Sequence, residues 1–327
     1  MAEKMTEVYG AYDVQIMQVM RGRGAFVLRT DKGIFQLKPM DVNPSRLAAE
    51  YEFKESLVEL GFDSIDYCVK NKDEELYTCD RYGNPYVLRR FFLGRECNPL
   101  NQQDIVLGVR NLAKLHQVGR EAFKRSERDV HLRVTGDFKK RNQTVKRVNN
   151  YILRQKSKRE FETKFLKTYD YFYEQGLKCQ SEYEAVKALG NEAHQGYCHG
   201  MYNHHSLVIT GDDSMVGTIS FDKFYLGNQM DDLYHYARKM TEKNDYRFEV
   251  FATILEEYGR VNPLNQEDYK YIYINYCYPE KYYKLANQYM NGTKNWLSPK
   301  LLEKMDKLTE DEGKKQMILD KMKKKYL

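Results

Sequence analysis

The sequence lacks any long hydrophobic run, and no window approaches the ~18 consecutive apolar residues that a transmembrane helix requires. Its first ten residues mix acidic and basic side chains without an apolar stretch, so we expect no secretory signal and a protein that folds in the cytosol. The six cysteines are scattered without a Cys-x-x-Cys pair, which favours free thiols in a reducing compartment. These absences argue against a membrane protein and against a disulfide-rich secreted protein.

The composition is that of a globular protein. The chain has 327 residues, of which 42% are hydrophobic, and 53 Lys and Arg against 47 Asp and Glu give a formal net charge of +6. This length suggests roughly two domains or lobes, and so small a charge excess does not by itself indicate a nucleic acid partner. The 28 tyrosines have two interpretations: amphipathic packing, in which the ring is buried and the hydroxyl stays wet, or an interaction surface.

The first ninety residues predict a β-rich region with one helix. Apolar and polar residues alternate between turn signals, which is typical of an antiparallel meander. The predicted strands of this meander cover residues 14–20, 25–29 and 34–38. A helix is then predicted from Pro44 to Leu60, with Ser45 as its N-cap and Gly61 just beyond its end.

The remainder of the chain is predominantly helical in pattern. Further strands are predicted at 64–70, 75–80 and 86–93, and apolar residues at helical spacing then cover 104–118. Charged amphipathic helices are predicted between 136 and 190, short strands at 195–210 and 214–222, and mainly helices after Asp231. We therefore expect an α+β protein with a β-rich lobe at residues 1–93, a helical lobe at 94–327, and a cleft between them, where ligands commonly bind.

Lys38 is the first candidate for chemistry, because it lies at the end of the third predicted strand. A carboxylate on the next helix could hold its ammonium group, and Glu50 lies there. A strand lysine paired with a helix glutamate positions the α- and β-phosphates of ATP in kinases. Taken alone, the same two residues are also common on protein surfaces.

Two motifs that lie close together carry a resemblance to a known family. The first runs from His199-Gly200-Met201 through Asn203 to Ser206, and the second is Ile219-Ser220-Phe221-Asp222. Their order and spacing resemble the His-Gly-Asp-x-x-x-x-Asn and Ile-Asp-Phe-Asp pattern of aminoglycoside phosphotransferase-like and choline kinase-like proteins. The segments Tyr278-Pro-Glu280 and Leu285–Tyr289, Trp296 and the lysine-rich end are similar, more specifically, to CotS-type spore coat proteins. The resemblance implies a two-lobed protein-kinase-like fold for nearly the whole chain.

The departures from the family pattern concern the groups that perform catalysis. Met201 stands where the pattern has the catalytic Asp, and a thioether cannot take a proton from an attacking hydroxyl. Ser206 and Ser220 stand where it has the metal-binding Asn and Asp, whereas Mg²⁺ prefers carboxylate and phosphate oxygens. Asp222 keeps the second acidic position, and His199 and Gly200 keep the loop positions. The nearby Asp212 and Asp213 are expected to lie in a solvent-facing turn and not to replace the lost acids. We therefore expect no catalytic residue and no magnesium site.

The candidate residues of a vestigial nucleotide site are Lys38 and Glu50 together with the hinge residues Leu88 and Phe91, which could hold adenine and phosphates. The chain has no G-x-G-x-x-G loop to cover phosphates, only a short hairpin with Arg21 and Arg23. We expect weak or absent ATP binding and no cofactor, with ATP and Mg²⁺ bound only if the site functions unexpectedly.

The ligand types in His194, Cys198, His199, His204 and His205 would suit Zn²⁺. Neighbouring residues of a strand point to opposite faces, however, so His204 and His205 are not expected to converge. The Asp231-Asp232 pair that opens the next predicted helix is expected to be structural.

Three functions stay open. The resemblance implies a spore-coat-associated pseudokinase that binds other coat proteins, with its tyrosine-rich helices as candidate contacts, and without a membrane or specific nucleic acid partner. It would be made in the mother-cell cytoplasm. The second is an active phosphotransferase on a small molecule or coat protein. The third is a nucleotide- or polyanion-binding module, whose affinity would fall steeply with salt.

Overall fold

The structure, a computed structural model, describes residues 5–22, 24–125, 137–188, 194–211, 215–292 and 299–327. Arg23, Asp212, Asp213 and Trp296 lie outside the described residues. Within the described ranges, no helix combines the length and the apolar character needed to cross a membrane.

The strands of the described residues form one larger sheet and two small ones. In chain order they are β1 (Ile16–Gly22), β2 (Ala25–Thr30), β3 (Gly33–Pro39), β4 (Cys68–Val69), β5 (Thr78–Cys79), β6 (Pro85–Arg90), β7 (Gly94–Glu96), β8 (Gln195–Cys198), β9 (Leu207–Thr210), β10 (Val216–Thr218) and β11 (Tyr225–Asn228).

Helices dominate the chain after residue 100. In chain order the α-helices of the described residues are α1 (Thr6–Gly10), α2 (Pro44–Glu59), α3 (Gln102–Arg125), α4 (Phe138–Leu153), α5 (Glu160–Ala188), α6 (Met230–Lys243), α7 (Phe248–Gly259), α8 (Gln266–Cys277), α9 (Glu280–Asn291) and α10 (Pro299–Tyr326). This succession of a small antiparallel sheet and a large helical part confirms the predicted α+β class.

The larger sheet has the order β1-β2-β3-β6-β4, with β5 on the other part of β6, and its pairs are antiparallel. The predicted meander is therefore confirmed, and its second turn has Gly33 at φ 123°. The strand expected at 64–70 shrinks to β4, because Ile65 and Asp66 pair with Thr218 of another sheet instead.

The N-cap of helix α2 is Asn43, two residues before the expected Ser45. The Asn43 side chain, not that of Ser45, accepts a hydrogen bond from the Arg46 N–H at 2.7 Å. This leaves Pro44 at the first helical position, where its missing N–H costs nothing. The end was predicted correctly, because Gly61 adopts φ 84° immediately after the helix.

The two faces of the larger sheet belong to different hydrophobic clusters. One face packs under α1 in a cluster that includes Tyr9, Tyr12, Leu37 and Leu88. Helix α2, by contrast, contributes Phe53 to the core of the helical part of the chain, where its ring stacks on Tyr197 at 4.1 Å.

Tyrosines build much of the interior. Several are among the largest fully buried side chains, namely Tyr12, Tyr202, Tyr236, Tyr258, Tyr276, Tyr278 and Tyr282. Among the described residues, the tyrosines with a large exposed fraction are Tyr82 and Tyr171. The packing interpretation of the tyrosine count is therefore supported. Most of the described tyrosines are not exposed enough to form a contact surface on the helices.

Candidate active site

The loop after β8 is held by one buried carboxylate from α6. Asp232 accepts hydrogen bonds from the backbone N–H groups of His199, at 2.6 Å, and Gly200, at 2.9 Å. Burial alone would raise the pKa of Asp232, but the His116 imidazole and these contacts outweigh it and lower the pKa below its usual value. The structural role expected for Asp232 is thus specific: it fixes the loop backbone.

Gly200 is required by the close approach of two loops. It has φ 82°, and a Cβ on its backbone would lie 2.1 Å from the Lys223 carbonyl oxygen. The ring of His199, in turn, contacts the Ile219 carbonyl oxygen through Nε2 at 3.0 Å. Both residues therefore connect the two motifs and leave no group free for chemistry.

Met201, which stands where the family pattern has the catalytic Asp, is 52% exposed. The Asn203 side chain donates to the Met201 carbonyl oxygen at 2.6 Å and accepts from the His205 N–H at 2.9 Å. Asn203 thus closes a turn, and this part of the loop presents a thioether where a proton acceptor would be needed.

The hydroxyl of Ser206 is used within the same turn. Its Oγ donates to the Asn203 carbonyl oxygen at 2.8 Å and accepts from the Asn203 N–H at 3.0 Å. The residue is buried. These bonds form a capping box on the short 3₁₀ helix His204–Ser206, so the hydroxyl is committed to local structure.

Ser220 precedes a second 3₁₀ turn in a left-handed conformation, with φ 68° and ψ 57°. Its N–H donates to the Asp66 carboxylate at 2.9 Å. Asp222, the residual acid of the motif, lies 4.0 Å from the Lys38 ammonium group. The strand lysine therefore faces Asp222.

The expected pair between Lys38 and Glu50 is wrong. Glu50 instead accepts from Lys54 at 2.6 Å and from the Arg89 guanidinium through two bonds. Lys54 lies one helical turn beyond Glu50, and Arg89 lies on β6 beneath it, so both cations reach the carboxylate without leaving their elements. Burial would raise the pKa of Glu50, yet Lys54 and Arg89 together lower it to about 2.

Sequence reasoning missed the rest of this buried network. Lys54 also donates to the Asp66 carboxylate at 2.5 Å, and Asp66 receives the Ser220 N–H. The spacing of Glu50 and Lys54 by four residues was a visible signal for an ion pair. Nothing local indicated Arg89 or Asp66, because both come from other elements.

The two candidate hinge residues, Leu88 and Phe91, differ in their exposure to solvent. Leu88 is fully buried in the cluster with Tyr12 and Leu37, on the α1 side of the sheet. A ligand could reach it only if that core opened. Phe91 is partly exposed, and its N–H donates to the Ile34 carbonyl oxygen at 2.9 Å. Its contact with a nucleotide stays a prediction.

A cavity of about 290 Å³ adjoins Gly200, between the loop and the helices. Arg141 of α4 lines it and pairs with Glu280 at 2.6 Å. Its guanidinium carbon also lies within 5.7 Å of the ring centroids of Tyr278 and Tyr283. The space beside the loop is therefore lined by an internal cation that already has its counter-charge and its aromatic neighbours.

Magnesium with ATP does not fit the donors that these loops offer. Met201 has no ligand oxygen in its side chain, and the Ser206 hydroxyl is bonded within its turn. At the second motif, Asp66 is paired with Lys54, and Asp222 lies 4.0 Å from the Lys38 ammonium group. Mg²⁺ sites in kinases normally use carboxylates that are open to the phosphates.

The fold and the paired loops define the class of the protein as kinase-like. An aminoglycoside phosphotransferase from Alicyclobacillus acidocaldarius superposes with a TM-score of 0.84 at 17% identity, over 98% of this chain and 95% of that chain. Spectinomycin phosphotransferase APH(9)-Ia gives 0.61 at 14% identity, over 94% and 93%. Choline kinase LicA from Streptococcus pneumoniae gives 0.52 at 10% identity, over 94% and 96%. At these identities the likeness shows the fold.

The particular family follows from the sequence profile described as "Spore coat putative kinase YutH", which matches residues 5–322. The chain belongs to this family, which confirms the expected kinship with spore coat proteins of the kinase-like superfamily. None of the curated proteins compared with the chain gives a match.

Proposed function

We propose that this chain is a catalytically silent member of its spore coat family, which acts by binding other coat proteins. The observation that carries the proposal is that the polar groups at and beside the two motifs face other residues of the chain. Ser206 is bonded within its turn, Asp66 is held by Lys54, and Asp222 faces Lys38. General-base assistance is worth about 10²–10⁴-fold in rate, and the loss of the metal ligands adds to that deficit.

Turnover of ATP is the direct test. We expect ADP formation by the purified chain with ATP and Mg²⁺ to be no faster than that of the Lys38→Ala variant. We also expect no Mg²⁺-dependent rise in its melting temperature with ATP. Robust turnover that Lys38→Ala abolishes would overturn the proposal and favour an active phosphotransferase with a displaced acid.

A basic surface on α4 and the following loop supports the interaction role. Residues 138–159 contain nine Lys and Arg and no Asp or Glu. Arg141 is paired with Glu280, and the other eight are exposed and form no ion pair with any residue in the described ranges. We call these eight the basic surface: Lys139, Lys140, Lys146, Arg147, Arg154, Lys156, Lys158 and Arg159.

Charge complementarity favours an acidic protein face as the partner of the basic surface. No aromatic residue between 138 and 159 is exposed. The basic surface therefore offers no platform for the stacking that single-stranded nucleic acids use. Opposite charges across an interface mainly accelerate association and select the partner.

The partner proposal is tested with the tagged chain in sporulating cells. We expect coat proteins that co-purify with it to be lost when Lys139→Glu and Lys146→Glu are combined, and to dissociate as salt is raised. The matched control combines Lys323→Glu and Lys324→Glu, which are exposed on α10 and carry the same charge change. Equal loss in both double variants, or in neither, would contradict a role for the basic surface.

A further inference from the structure

Three ligand-type side chains meet beside the loop, outside the positions that kinase chemistry would use. Glu96 is the last residue of β7, and it pairs with Val208 of β9. His204 and His205 lie on the 3₁₀ turn that leads into β9. One ligand atom from each of these three side chains lies within 4.8 Å of the other two.

The convergence of the two histidines corrects the expectation from sequence. The expectation assumed a strand, in which neighbours point to opposite faces. A 3₁₀ helix has three residues per turn, so neighbours are only about 120° apart. The ring centroids of His204 and His205 lie 3.9 Å apart. Two other histidines considered as zinc ligands lie elsewhere: His194 faces Asp268, and His199 faces the Ile219 carbonyl oxygen.

The His204 ring carries an unsatisfied nitrogen. The residue is only 6% exposed, and its Nδ1 is buried without a hydrogen-bond partner among the described residues. A buried polar atom left without a partner costs about 1–3 kcal/mol. This nitrogen therefore has a lone pair or a proton for which the described residues supply no partner, and a metal ion is one partner that would satisfy it.

The other two ligands are accessible and lie next to each other. His205 Nδ1 lies 2.5 Å from Glu96 Oε1, and both side chains are more than half exposed. The remaining nitrogen of His205 and the second oxygen of Glu96 can therefore turn toward an ion without breaking core packing. The backbone of His205 is fixed by the turn, because its N–H donates to the Asn203 side chain.

We infer that Glu96, His204 and His205 form a binding site for a divalent transition-metal ion, with Zn²⁺ as the best match. Two imidazoles and one carboxylate are the protein ligands of many zinc sites that keep a fourth position open. Imidazole nitrogen selects against Mg²⁺ and Ca²⁺, which take oxygen ligands. Because β7 and the 3₁₀ turn both contribute, the ion fixes the loop to the strand that follows the larger sheet. The site does not depend on the proposed function.

Two lysines near the site give the inference a distinctive signature. Lys239 and Lys243 act on His204 with like charge, each lowering its pKa. The same positive charge opposes a bound cation. The affinity of the site for a cation should therefore rise when Lys243 is neutralised.

The test is a Zn²⁺ titration of the tag-free, chelator-treated chain, in competition with a chromogenic chelator. We expect one equivalent bound, with affinity reduced at least ~10-fold in Glu96→Gln and in His205→Ala, since even outer-shell changes cost about 10–100-fold at metal sites. Lys243→Gln should bind a few-fold more tightly. Glu59→Gln, an exposed carboxyl on α2, is the matched control and should bind as the parent does.

A crystal of the Zn²⁺-loaded chain gives the second readout. We expect an anomalous difference peak between Glu96 and the two histidines. The inference is overturned if no stoichiometric binding occurs, if the Glu96→Gln/His205→Ala double variant retains the parental affinity, or if the peak lies elsewhere. Both substitutions are at exposed side chains, and an unchanged melting temperature without metal would show that the fold is kept.

Discussion

Ser220 occupies a backbone conformation that few residues with a side chain adopt, with φ 68° and ψ 57°. Asp and Asn are several-fold enriched in this left-handed region. The Asp that the family pattern has at this position would suit this backbone, and the chain has the same conformation with a serine in place of the carboxylate. At the scale of single residues, the candidate site therefore has a backbone that would also suit an acidic side chain.

This predicts the outcome of restoring one acid. Ser220→Asp should give a Mg²⁺-dependent rise in melting temperature with ATP of about 2 °C or more, because Mg²⁺ can be held by a single carboxylate together with phosphates. The measurement is a thermal shift with and without Mg²⁺.

Ser220→Asn is the control for this experiment, since it suits the same backbone and adds no charge. A response from Ser220→Asn equal to that of Ser220→Asp, or a response already present in the parent chain, would show that the carboxylate is not the missing group.

Glu50 predicts a pH dependence of stability. Its pKa in the folded chain is about 2, below the ordinary value of about 4.3, so its ionic contacts stabilise the fold above pH ~4.3 and are lost as the pH falls toward 2. Glu50→Gln should destabilise the chain by about 3–5 kcal/mol at pH 7, because two buried cations lose their partner. That penalty should shrink by ~1 kcal/mol at pH 3.5.

Urea unfolding at the two pH values measures this difference, in which titrations common to both proteins cancel. Glu59→Gln removes an exposed carboxyl from the same helix and should follow the parent at both pH values. A Glu50→Gln penalty that is constant from pH 7 to pH 3.5 would rule out the lowered pKa.

At the scale of elements, α2 joins the sheet to the helical part of the chain. The Phe53 ring contacts both Tyr197 and Phe224, with centroid distances of 4.1 Å and 5.3 Å. The Arg46 guanidinium bonds to the Asp222 carbonyl oxygen at 3.1 Å and lies 4.0 Å above the Phe224 ring. Apolar stacking and cationic contacts thus hold one helix against both motif-bearing loops.

Phe53→Ala should therefore cost about 3–5 kcal/mol of unfolding free energy, as expected for a large aromatic side chain removed from a core. Val58→Ala on the exposed side of the same helix should change it by no more than ~0.5 kcal/mol. Denaturant unfolding followed by circular dichroism measures both. Similar small effects of the two substitutions would mean that α2 is not anchored through this ring.

The elements that sequence predicted well are those set by local turn chemistry. The β1–β3 meander and the end of α2 follow from Gly33 and Gly61, whose positive φ values the chain needs at those points. The 3₁₀ turn at His204–Ser206 could also have been predicted, since Asn203 and Ser206 have capping-box spacing. A reader of that spacing would have placed His204 and His205 on a helical turn.

What sequence could not supply were partners that are distant along the chain. Arg89 meets Glu50 across 39 residues, and Asp66 meets Ser220 across 154. Neither pairing has a local pattern, because each depends on how strands and helices stack. The sequence therefore predicted which residues would form the candidate site, whereas only the structure assigned Lys38 to Asp222 and Glu50 to its two buried cations.

At the scale of the whole molecule, charge is distributed unevenly. The net charge is +6, yet residues 138–159 alone contribute +9, from nine basic and no acidic residues. The remaining 305 residues therefore sum to −3. The molecule is electrically asymmetric, so its association with an acidic partner should have a preferred orientation and should weaken with ionic strength.

The contacts of α2 have a consequence for motion. Enzymes of this class admit nucleotide and release product by opening and closing around the cleft. Here contacts of Phe53 and Arg46 hold α2 against the loops. The linked polar contacts from Arg89 to Ser220 add to them, and together these contacts oppose such opening. Under the proposed function the chain needs no such opening, and a constant outline would suit a subunit of an ordered protein shell.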